Sequence, residues 1–287
     1  MKREGIKPTV VTYSALISAA EKGQQWKLAL EVLEEMKAEG HGANVIAYSA
    51  AISACSKGQM WQKALELFRE IEAMGGKPSI VTYNATMTAL EKGLQWERAL
   101  DLFDEMKSKN MPVTVVSYGS AISACEKGLQ YRQCLEFLDE MTEMEIKKNV
   151  IIFGAAMSCM EKSCRADIAF QLMDRMKFEG VAPNVHIYNS AISACARCNL
   201  WEKGYELFQE MEAVGVKRDV VTYNAVLDAV CTQVPLGRRL FTEGKTKFSF
   251  FSHTWGGCHN PYKSILYRCR TRILLTRIKT GCSVART

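Results

Sequence analysis

The sequence contains little of what membrane proteins and many enzymes depend on. Among 287 residues there are six prolines and four histidines, His41, His186, His253 and His259. No apolar run is long enough to span a bilayer. There is no glycine-rich phosphate loop, no catalytic triad, and no pair of carboxylates in a pocket-like context. These absences argue against a membrane partner and a small-molecule substrate, and we expect no cofactor.

Acidic residues are nearly missing from the last part of the chain. Residues 235–287 contain 11 Lys and Arg and one acidic residue, Glu243. Residues 1–234 contain 26 Lys and Arg and 30 Asp and Glu. The overall charge of +6 therefore arises in the tail. Because the body is mildly acidic, its bulk charge does not argue for nucleic-acid binding, and only a localised basic stripe could.

What the sequence does contain is an aromatic residue at every 35th position. These residues are Tyr13, Tyr48, Tyr83, Tyr118, Phe153, Tyr188 and Tyr223. A fixed period in this range is typical of a repeat solenoid, in which each unit buries its apolar face against its neighbours.

Each repeat is predicted to form two helices. Residues 11–22 carry apolar residues at helical spacing, and Gly23 is expected to end this helix in a left-handed turn. A second helix opens near Trp26, and Gly40 ends it. Its predicted buried side consists of Trp26, Ala29, Leu30, Leu33 and Met36.

The same positions recur in later repeats. The inner-turn glycine is matched by Gly58, Gly93 and Gly128, and the outer-turn glycine by Gly75, Gly180 and Gly215. Three residue types are expected to pack the core: Trp61, Trp96 and Trp201; Met106, Met141, Met176 and Met211; and Cys55, Cys125 and Cys195. The eleven cysteines are an odd number, and we expect free thiols in a reducing compartment.

The period divides the chain into full and partial repeats. The predicted segments are the end of a truncated repeat at 1–9, repeats 1 to 6 at 10–44, 45–79, 80–114, 115–149, 150–184 and 185–219, a partial repeat at 220–243, and a basic tail at 244–287. Met1 aligns with Met36, so we expect the natural protein to extend further. The tail is either a basic RNA-binding arm or a disordered segment, and its lack of periodicity favours disorder.

Several sequence segments resemble the pentatricopeptide repeat family. They are V-V-T-Y-N-A at 220–225, A-L-E-L-F at 64–68 and G-V-K-R-D at 215–219, within a 35-residue period that extends over about 1–243. The constant repeat length resembles the class built from 35-residue repeats alone. The resemblance implies an all-α fold, a right-handed α-solenoid that binds single-stranded RNA along its concave groove. It also implies a role in RNA processing, stability, splicing or translation in a chloroplast or mitochondrion.

Two positions in each repeat are polar or small and vary between copies, as expected of residues that face a variable ligand. One follows the aromatic residue: Ser14, Ser49, Asn84, Gly119, Gly154, Asn189 and Asn224. The other ends the repeat: Asn44, Ser79, Thr114, Asn149, Asn184 and Asp219. The second set are also good helix-capping residues. By resemblance to the family, each successive pair reads one base.

The family's code, carried over pair by pair, implies the site 5′-A-N-Y-N-N-U-3′. Adenine is assigned to Ser14–Asn44, a pyrimidine to Asn84–Thr114 and uracil to Asn189–Asp219. An ionised Asp219 only accepts hydrogen bonds, which suits the N3–H of uracil. Ser49–Ser79 is unassigned, and the units of Gly119 and Gly154 should discriminate weakly because glycine has no side chain.

Two further sets of residues accompany these pairs. By resemblance, the residues two before the aromatic sandwich the bases: Val11, Ile46, Val81, Val116, Ile151, His186 and Val221. A cation ends each first helix: Lys22, Lys57, Lys92, Lys127, Lys162 and Arg197. The cations either interact favourably with the negative end of the helix dipole or contact one phosphate in every repeat, and both interpretations stay open.

The catalytic motifs of some family members are missing. None of the four histidines belongs to the H-x-E of a zinc deaminase or to the L-D-x-H of an endonuclease-like domain. Cys195 and Cys198 form a lone C-x-x-C in which Cys195 is a core position, so we expect no metal site. We therefore expect a protein that is not an enzyme.

Three functions are consistent with these sequence features. The leading one is binding of single-stranded RNA, with other RNA-processing proteins as further partners. The alternative is a protein-binding scaffold like the tetratricopeptide arrays, which the acidity of the body favours. The third is a nuclease or editing enzyme whose catalytic domain this chain lacks. The constant period and the variable polar pairs favour RNA.

Overall fold

The computed structural model describes residues 8–40 and 44–231, and these residues form helices joined by short turns. No strand occurs in the described ranges, which confirms the prediction of an all-α repeat fold. The structure does not describe residues 1–7 of the predicted truncated repeat at 1–9, the second helix of the partial repeat or the basic tail. None of the described helices is both long and apolar enough to cross a membrane.

Thirteen helices follow one another in the described part of the chain. They are α1 (Val10–Lys22), α2 (Trp26–Ala38), α3 (Val45–Lys57), α4 (Trp61–Ala73), α5 (Ile80–Lys92), α6 (Trp96–Ser108), α7 (Val115–Gly128), α8 (Tyr131–Glu143), α9 (Val150–Lys162), α10 (Ala166–Phe178), α11 (Val185–Arg197), α12 (Trp201–Ala213) and α13 (Val220–Cys231). Odd-numbered helices are the first helices of successive hairpins, and even-numbered helices are the second.

The last residue of a repeat begins the first helix of the next one. The side chains of Thr9, Ser79 and Thr114 accept a hydrogen bond from the backbone N–H three residues on, in a reciprocal capping box. Asn44 and Asn184 cap α3 and α11 through their side-chain oxygens. The second helices α2, α4, α6, α8, α10 and α12 have no side-chain cap.

The contacts divide the chain into two compact units, Met1–Cys159 and Met160–Thr287. In the first unit, α1, α3, α5 and α7 contact one another in succession, and α2, α4 and α6 each pack between two first helices. In the second unit, α11 contacts α10, α12 and α13. Among the described helices, the main contacts therefore join helices that are close along the chain, as expected for stacked repeats.

The repeated aromatic residue is the main core contact of each hairpin. Tyr83 lies edge-on against Phe68, with 4.8 Å between ring centroids, and Tyr118 lies against Phe103 at 5.2 Å. Both tyrosines are fully buried. In each pair the phenylalanine comes from the second helix of the preceding repeat, so the aromatic contact joins one repeat to the next.

Buried tyrosines in both units also have charged partners. The Tyr118 hydroxyl donates to Glu140 at 3.1 Å, and Lys107 of the preceding repeat binds the same carboxylate at 3.2 Å. Burial raises the pKa of Tyr118 to about 12, and Glu140 adds to the effect. In the second unit, Glu210 is shared in the same way by the Tyr188 hydroxyl at 2.8 Å and Lys177 at 2.7 Å.

The other predicted core residues divide into two groups. Met36, Met106, Met141, Met176 and Met211 are buried, and so are Cys55, Cys125 and Cys195, as predicted. Burial raises the pKa of these thiols, to about 11 for Cys55 and about 12 for Cys125 and Cys195. The prediction was wrong for Trp26, Trp61, Trp96 and Trp201, which are only half-buried because each begins its helix at the hairpin end.

The inner-turn glycines do not adopt the predicted left-handed conformation. Gly58 and Gly93 both have φ near −80°, and the positive φ falls on the next residue, Gln59 and Leu94, both at 59°. The outer-turn glycines do behave as predicted: φ is 73° at Gly40, 71° at Gly75, 74° at Gly180 and 78° at Gly215.

The inner-turn glycine is required by a tryptophan of the preceding repeat. A Cβ atom at Gly58 would lie 2.3 Å from Cδ1 of Trp26, and one at Gly93 would lie 2.3 Å from Cδ1 of Trp61. A Cβ at Gly128 would lie 2.5 Å from Cδ2 of Trp96. Glycine therefore allows the indole ring of one hairpin to pack against the turn of the next.

We predict that Gly93→Ala destabilises the fold by about 1–3 kcal/mol, because the new methyl group overlaps the Trp61 ring. Gly23→Ala is the matched control: Gly23 has a similar φ of −76°, but its nearest contact would be Ala19 O at 3.4 Å. Denaturant unfolding of the two variants measures the difference. Equal midpoints for both would contradict the packing account.

Candidate nucleic-acid interface

Two of the predicted base-reading pairs are in direct contact. Asn44 Nδ2 donates to Ser14 Oγ at 3.1 Å. In the second unit, Asn189 Nδ2 donates to Asp219 Oδ1 at 3.1 Å. The members of each pair are 30 residues apart, and they meet because one lies in the first turns of a first helix and the other caps the next first helix.

The pair Ser49–Ser79 is joined through a third residue. The hydroxyl oxygens of Ser49 and Thr82 are 2.6 Å apart, and those of Thr82 and Ser79 are 2.9 Å apart. Thr82 is fully buried. The two predicted residues therefore belong to one hydrogen-bonded cluster, although they do not touch directly.

The remaining pairs are less connected. Thr114 Oγ1 is 3.1 Å from Ser117 Oγ, while Asn84 Oδ1 is buried and has no hydrogen-bond partner. Gly119 offers no side chain, and its predicted partner Asn149 accepts a hydrogen bond from Ile152 N at 3.0 Å. The structure does not join Gly154, Asn184 or Asn224 to a partner in base reading: Gly154 is buried in α9, Asn184 caps α11, and Asn224 is exposed on α13.

The predicted sandwiching residues are apolar and exposed. Their exposed fraction ranges from 55% for Val221 to 77% for Val11, with Ile46, Val81, Val116 and Ile151 between these values. His186, at the same position of α11, is also exposed. Single exposed aliphatic residues are ordinary on a protein surface, but here they recur at one position of six described first helices.

The second unit contains an open groove of about 600 Å³ beside these residues. Its lining includes His186, Asn189, Asp219 and Val221. The groove thus brings together one complete base-reading pair and the sandwiching residues of two successive repeats. Its volume lies within the range of about 300–1,000 Å³ that is usual for ligand sites.

Asp219 is held as an anion in this groove. Burial acts to raise the pKa of its carboxyl group, but hydrogen bonds from the Thr222 backbone N–H and from the Asn189 amide outweigh it, and the pKa is lowered. The Thr222 N–H donates to Oδ1 at 2.8 Å. An ionised carboxylate only accepts hydrogen bonds, so a group that binds at this end of the groove has to be a hydrogen-bond donor.

The predicted phosphate-binding cations have contacts within the protein. Lys57 Nζ lies 2.9 Å from the carboxylate of Glu21 and 3.3 Å from its carbonyl oxygen. Lys92 donates to the Ser56 carbonyl at 3.4 Å. Both acceptors are at the C-terminal end of the preceding first helix, which is the geometry expected of a cation that is stabilised by a helix dipole. Lys22 and Arg197 are exposed, and Lys127 and Lys162 lie in the last turns of α7 and α9.

The cysteine pair of the C-x-x-C segment does not form a joint site. Cys195 is fully buried, whereas Cys198 Sγ donates to the Cys164 carbonyl at 3.1 Å. The part of the chain that the structure describes has no group of three or more His, Cys, Asp or Glu side chains placed to hold a metal ion.

The sequence analysis missed one set of residues in this interface. The residue directly before the aromatic is a fully buried hydroxyl side chain at Thr82, Ser117 and Thr222. The Thr222 hydroxyl donates to Asn189 Oδ1 at 2.6 Å. The available signal was a polar residue at a buried helix position that is apolar in other repeats, such as Ala47 and Ile152.

Family models match nearly all of the described chain. A model described as PPR repeat family matches residues 43–92, 78–127 and 183–232, one described as pentatricopeptide repeat domain matches 1–58 and 136–197, and one described as PPR repeat matches 116–146. A comparison with curated proteins gave no match.

Solved structures of similar fold include the pentatricopeptide repeat protein PPR10 from maize, at 27% identity and a TM-score of 0.56. The match covers 83% of this chain and 35% of the maize chain, so this chain spans about a third of that protein. PPR10 in complex with an 18-nt psaJ RNA element matches at 19% identity over 82% of this chain and 39% of that one, with a TM-score of 0.55.

A third similar structure is the PPR domain of Arabidopsis thaliana protein-only RNase P 1 in complex with tRNA. It matches at 15% identity, with a TM-score of 0.55, over 62% of this chain and 94% of that domain. At this level of identity the likeness concerns the fold alone.

We predict that Asp219→Asn makes the stability of the protein less dependent on pH. Because the folded-state pKa of Asp219 is lowered, its stabilising effect is present above the pKa of an unfolded aspartate, about 3.9, and is lost as pH falls through the folded value. Asparagine keeps an oxygen that can accept from Thr222, so the variant should fold. Denaturant midpoints measured from pH 7 downward test this, and identical pH profiles for variant and wild type would contradict it.

Proposed function

Because the chain belongs to the pentatricopeptide repeat family, we propose that it is a non-catalytic, sequence-selective binder of single-stranded RNA. The observation that carries the proposal is the groove of the second unit, where the pair Asn189–Asp219 lies beside the exposed His186 and Val221. Apolar or aromatic side chains can pack against the faces of bases, and a polar pair beside them can form hydrogen bonds with the base edge.

Two of the similar structures support RNA as the ligand class. The maize protein was solved in complex with an 18-nt RNA element, and the Arabidopsis domain in complex with tRNA. This chain has the same repeat fold and places its variable polar residues and exposed apolar residues at one end of its first helices. The repeats match the class of constant 35-residue length.

The pairs read the RNA in the order 5′-A-N-Y-N-N-U-3′. At the 3′ end, the ionised Asp219 accepts from the N3–H of uracil, and the free N–H of Asn189 donates to a uracil carbonyl oxygen. At the 5′ end, Ser14 and the Asn44 amide meet the edge of adenine. Bound protein masks the segment from nucleases or from pairing, or places another factor on it, during RNA processing, stability control or translation in a chloroplast or mitochondrion.

The alternative is a scaffold that binds protein. The excess of 30 acidic over 26 basic residues in 1–234 favours it, because RNA repels such a surface unless cations are localised. A scaffold, however, has no need of polar pairs that vary from repeat to repeat beside a constant exposed aliphatic residue.

We predict that the full chain binds RNA containing A-N-Y-N-N-U about tenfold more tightly than the same RNA with the A, Y and U positions permuted, since wrong bases leave polar groups unpaired. Affinities are measured by titration of labelled RNA at several salt concentrations. The glycine repeats supply an internal control: exchanging the fourth and fifth bases should leave the affinity unchanged. Equal affinity for ordered and permuted RNA would remove the claim of selectivity, and absence of binding would favour the scaffold.

The cation row gives a separate prediction. If Lys92 contacts a phosphate, Lys92→Ala weakens binding to every RNA alike and reduces the slope of log affinity against log salt by about 0.7. The control is Lys63→Ala, which removes the same charge from the exposed surface of α4. A slope that is unchanged by Lys92→Ala would leave Lys92 with its contact to the Ser56 carbonyl alone.

A further inference from the structure

From the second repeat onward, the residue before the aromatic occupies a buried position that does not need to be polar. Thr82, Ser117 and Thr222 are fully buried there, and so are Ala47 and Ile187 in other repeats. Burial of a hydroxyl is unfavourable unless it is hydrogen bonded. The hydroxyl therefore has to be explained by the partner that it binds.

That partner is the base-reading residue of the preceding repeat. The hydroxyl oxygens of Thr82 and Ser49 are 2.6 Å apart, and Ser49 Oγ gives its one proton to the Val45 carbonyl at 2.7 Å. Thr82 is therefore the donor in this contact. Thr222 Oγ1 likewise lies 2.6 Å from Asn189 Oδ1 and 2.9 Å from Asp219 Oδ1, and it donates its one proton to the nearer oxygen, that of Asn189. In both units a threonine thus donates to the base-reading side chain 33 residues before it.

The position changes where the base-reading residue has no side chain. Gly119 is followed 33 residues later by Ile152, whose Cδ1 lies 3.5 Å from the place of a Cβ at Gly119. Ile152 is buried and fills this space with apolar atoms. In the sequence, Gly154 and Ile187 have the same relation. Glycine is thus combined with isoleucine, whereas Ser49, Asn84 and Asn189 are each combined with a hydroxyl side chain.

The other two units lack this contact. Ser14 receives its hydrogen bond from Asn44 at 3.1 Å, and the following repeat has Ala47, which has no hydroxyl. Ser117 instead contacts Thr114 Oγ1 at 3.1 Å, and in that unit Asn84 Oδ1 is left buried and unpartnered. Where no hydroxyl reaches it, the base-reading side chain has a different donor or none.

We propose that the residue before the aromatic is a third specificity position, which fixes the atoms that the base-reading residue of the preceding repeat presents to RNA. The inference rests on the proposed RNA binding. With Oδ1 of Asn189 occupied by Thr222 and one N–H given to Asp219, the side chain presents its second N–H, a donor, to the base. Thr222 positions Asn189 and does not itself touch the base.

The test is Thr222→Val in the full chain, which keeps the shape of the side chain and removes its hydroxyl. We expect the preference for U over the other bases at the sixth position of A-N-Y-N-N-U to fall about three- to tenfold, the usual worth of one hydrogen bond. The preference for A at the first position should not change. Thr222→Ser retains the hydroxyl and should retain the preference for U.

Thr12→Val is the matched control for the loss of helix capping. Within residues 8–40 and 44–231 the Thr12 hydroxyl contacts Thr9 alone, with 3.1 Å between the oxygens and 3.3 Å to the Thr9 backbone nitrogen, so this variant loses the same kind of cap. All base preferences should survive in it. If wild type prefers U at the sixth position and Thr222→Val prefers it equally, the proposed role of the third specificity position is refuted. The proposed sequence-selective RNA binding is then unaffected. If wild type shows no base preference, the proposed function fails and the inference fails with it.

A gain of selectivity tests the same idea in the opposite direction. Gly119→Asn with Ile152→Thr restores both partners in a unit that has neither, and the 3.5 Å contact leaves room for the new Cβ. We expect the double variant to discriminate among bases at the fourth position at least threefold better than Gly119→Asn alone. Equal discrimination by the single and double variants would contradict the role of the third position.

Discussion

The edge-on contact between the aromatic of one repeat and a phenylalanine of the repeat before is the interaction on which the rest of the structure depends. It joins Phe68 to Tyr83 and Phe103 to Tyr118 in the first unit, and Phe208 to Tyr223 at 5.5 Å in the second. A helical hairpin has an apolar face that it cannot bury alone, and this contact is where the next hairpin covers it. Because the aromatic sits in the first turns of its helix, its burial also fixes the direction of the residues beside it.

Four consecutive residues of a first helix thereby acquire four different roles. Successive residues of an α-helix point about 100° apart, so Val81, Thr82, Tyr83 and Asn84 face different directions. Tyr83 enters the core, Val81 is exposed, Thr82 is buried against the preceding repeat and Asn84 lies at the predicted base-reading position. The stacking contact thus places each set of ligand-facing residues as a consequence of packing. Variation at the reading position changes the ligand without disturbing the core, which is why a repeat array suits sequence-selective binding.

The sequence predicted the period, the helical hairpins and the buried methionines and cysteines because these follow from local periodicity. It did not predict why Gly93 is glycine, since the reason is the ring of Trp61, 32 residues earlier in the chain. The half-exposure of the tryptophans was missed for a different reason, because helical spacing does not show where the hairpin ends. The contact of Thr222 with Asn189 spans 33 residues, and local helical periodicity does not reveal it. The predicted base-reading pairs came from family resemblance, and the structure brings Ser14 to Asn44 and Asn189 to Asp219.

The central claim is that RNA lies in the groove lined by His186, Asn189, Asp219 and Val221, with a fixed direction along the repeats. Photo-crosslinking tests this most directly, with 4-thiouridine as the sixth base of A-N-Y-N-N-U and the crosslinked peptide identified by mass spectrometry. The account predicts that the crosslink falls within residues 184–189 or 219–222. A crosslink confined to the first two repeats would mean that the RNA runs in the opposite direction, and crosslinks outside the first helices would contradict the proposed interface.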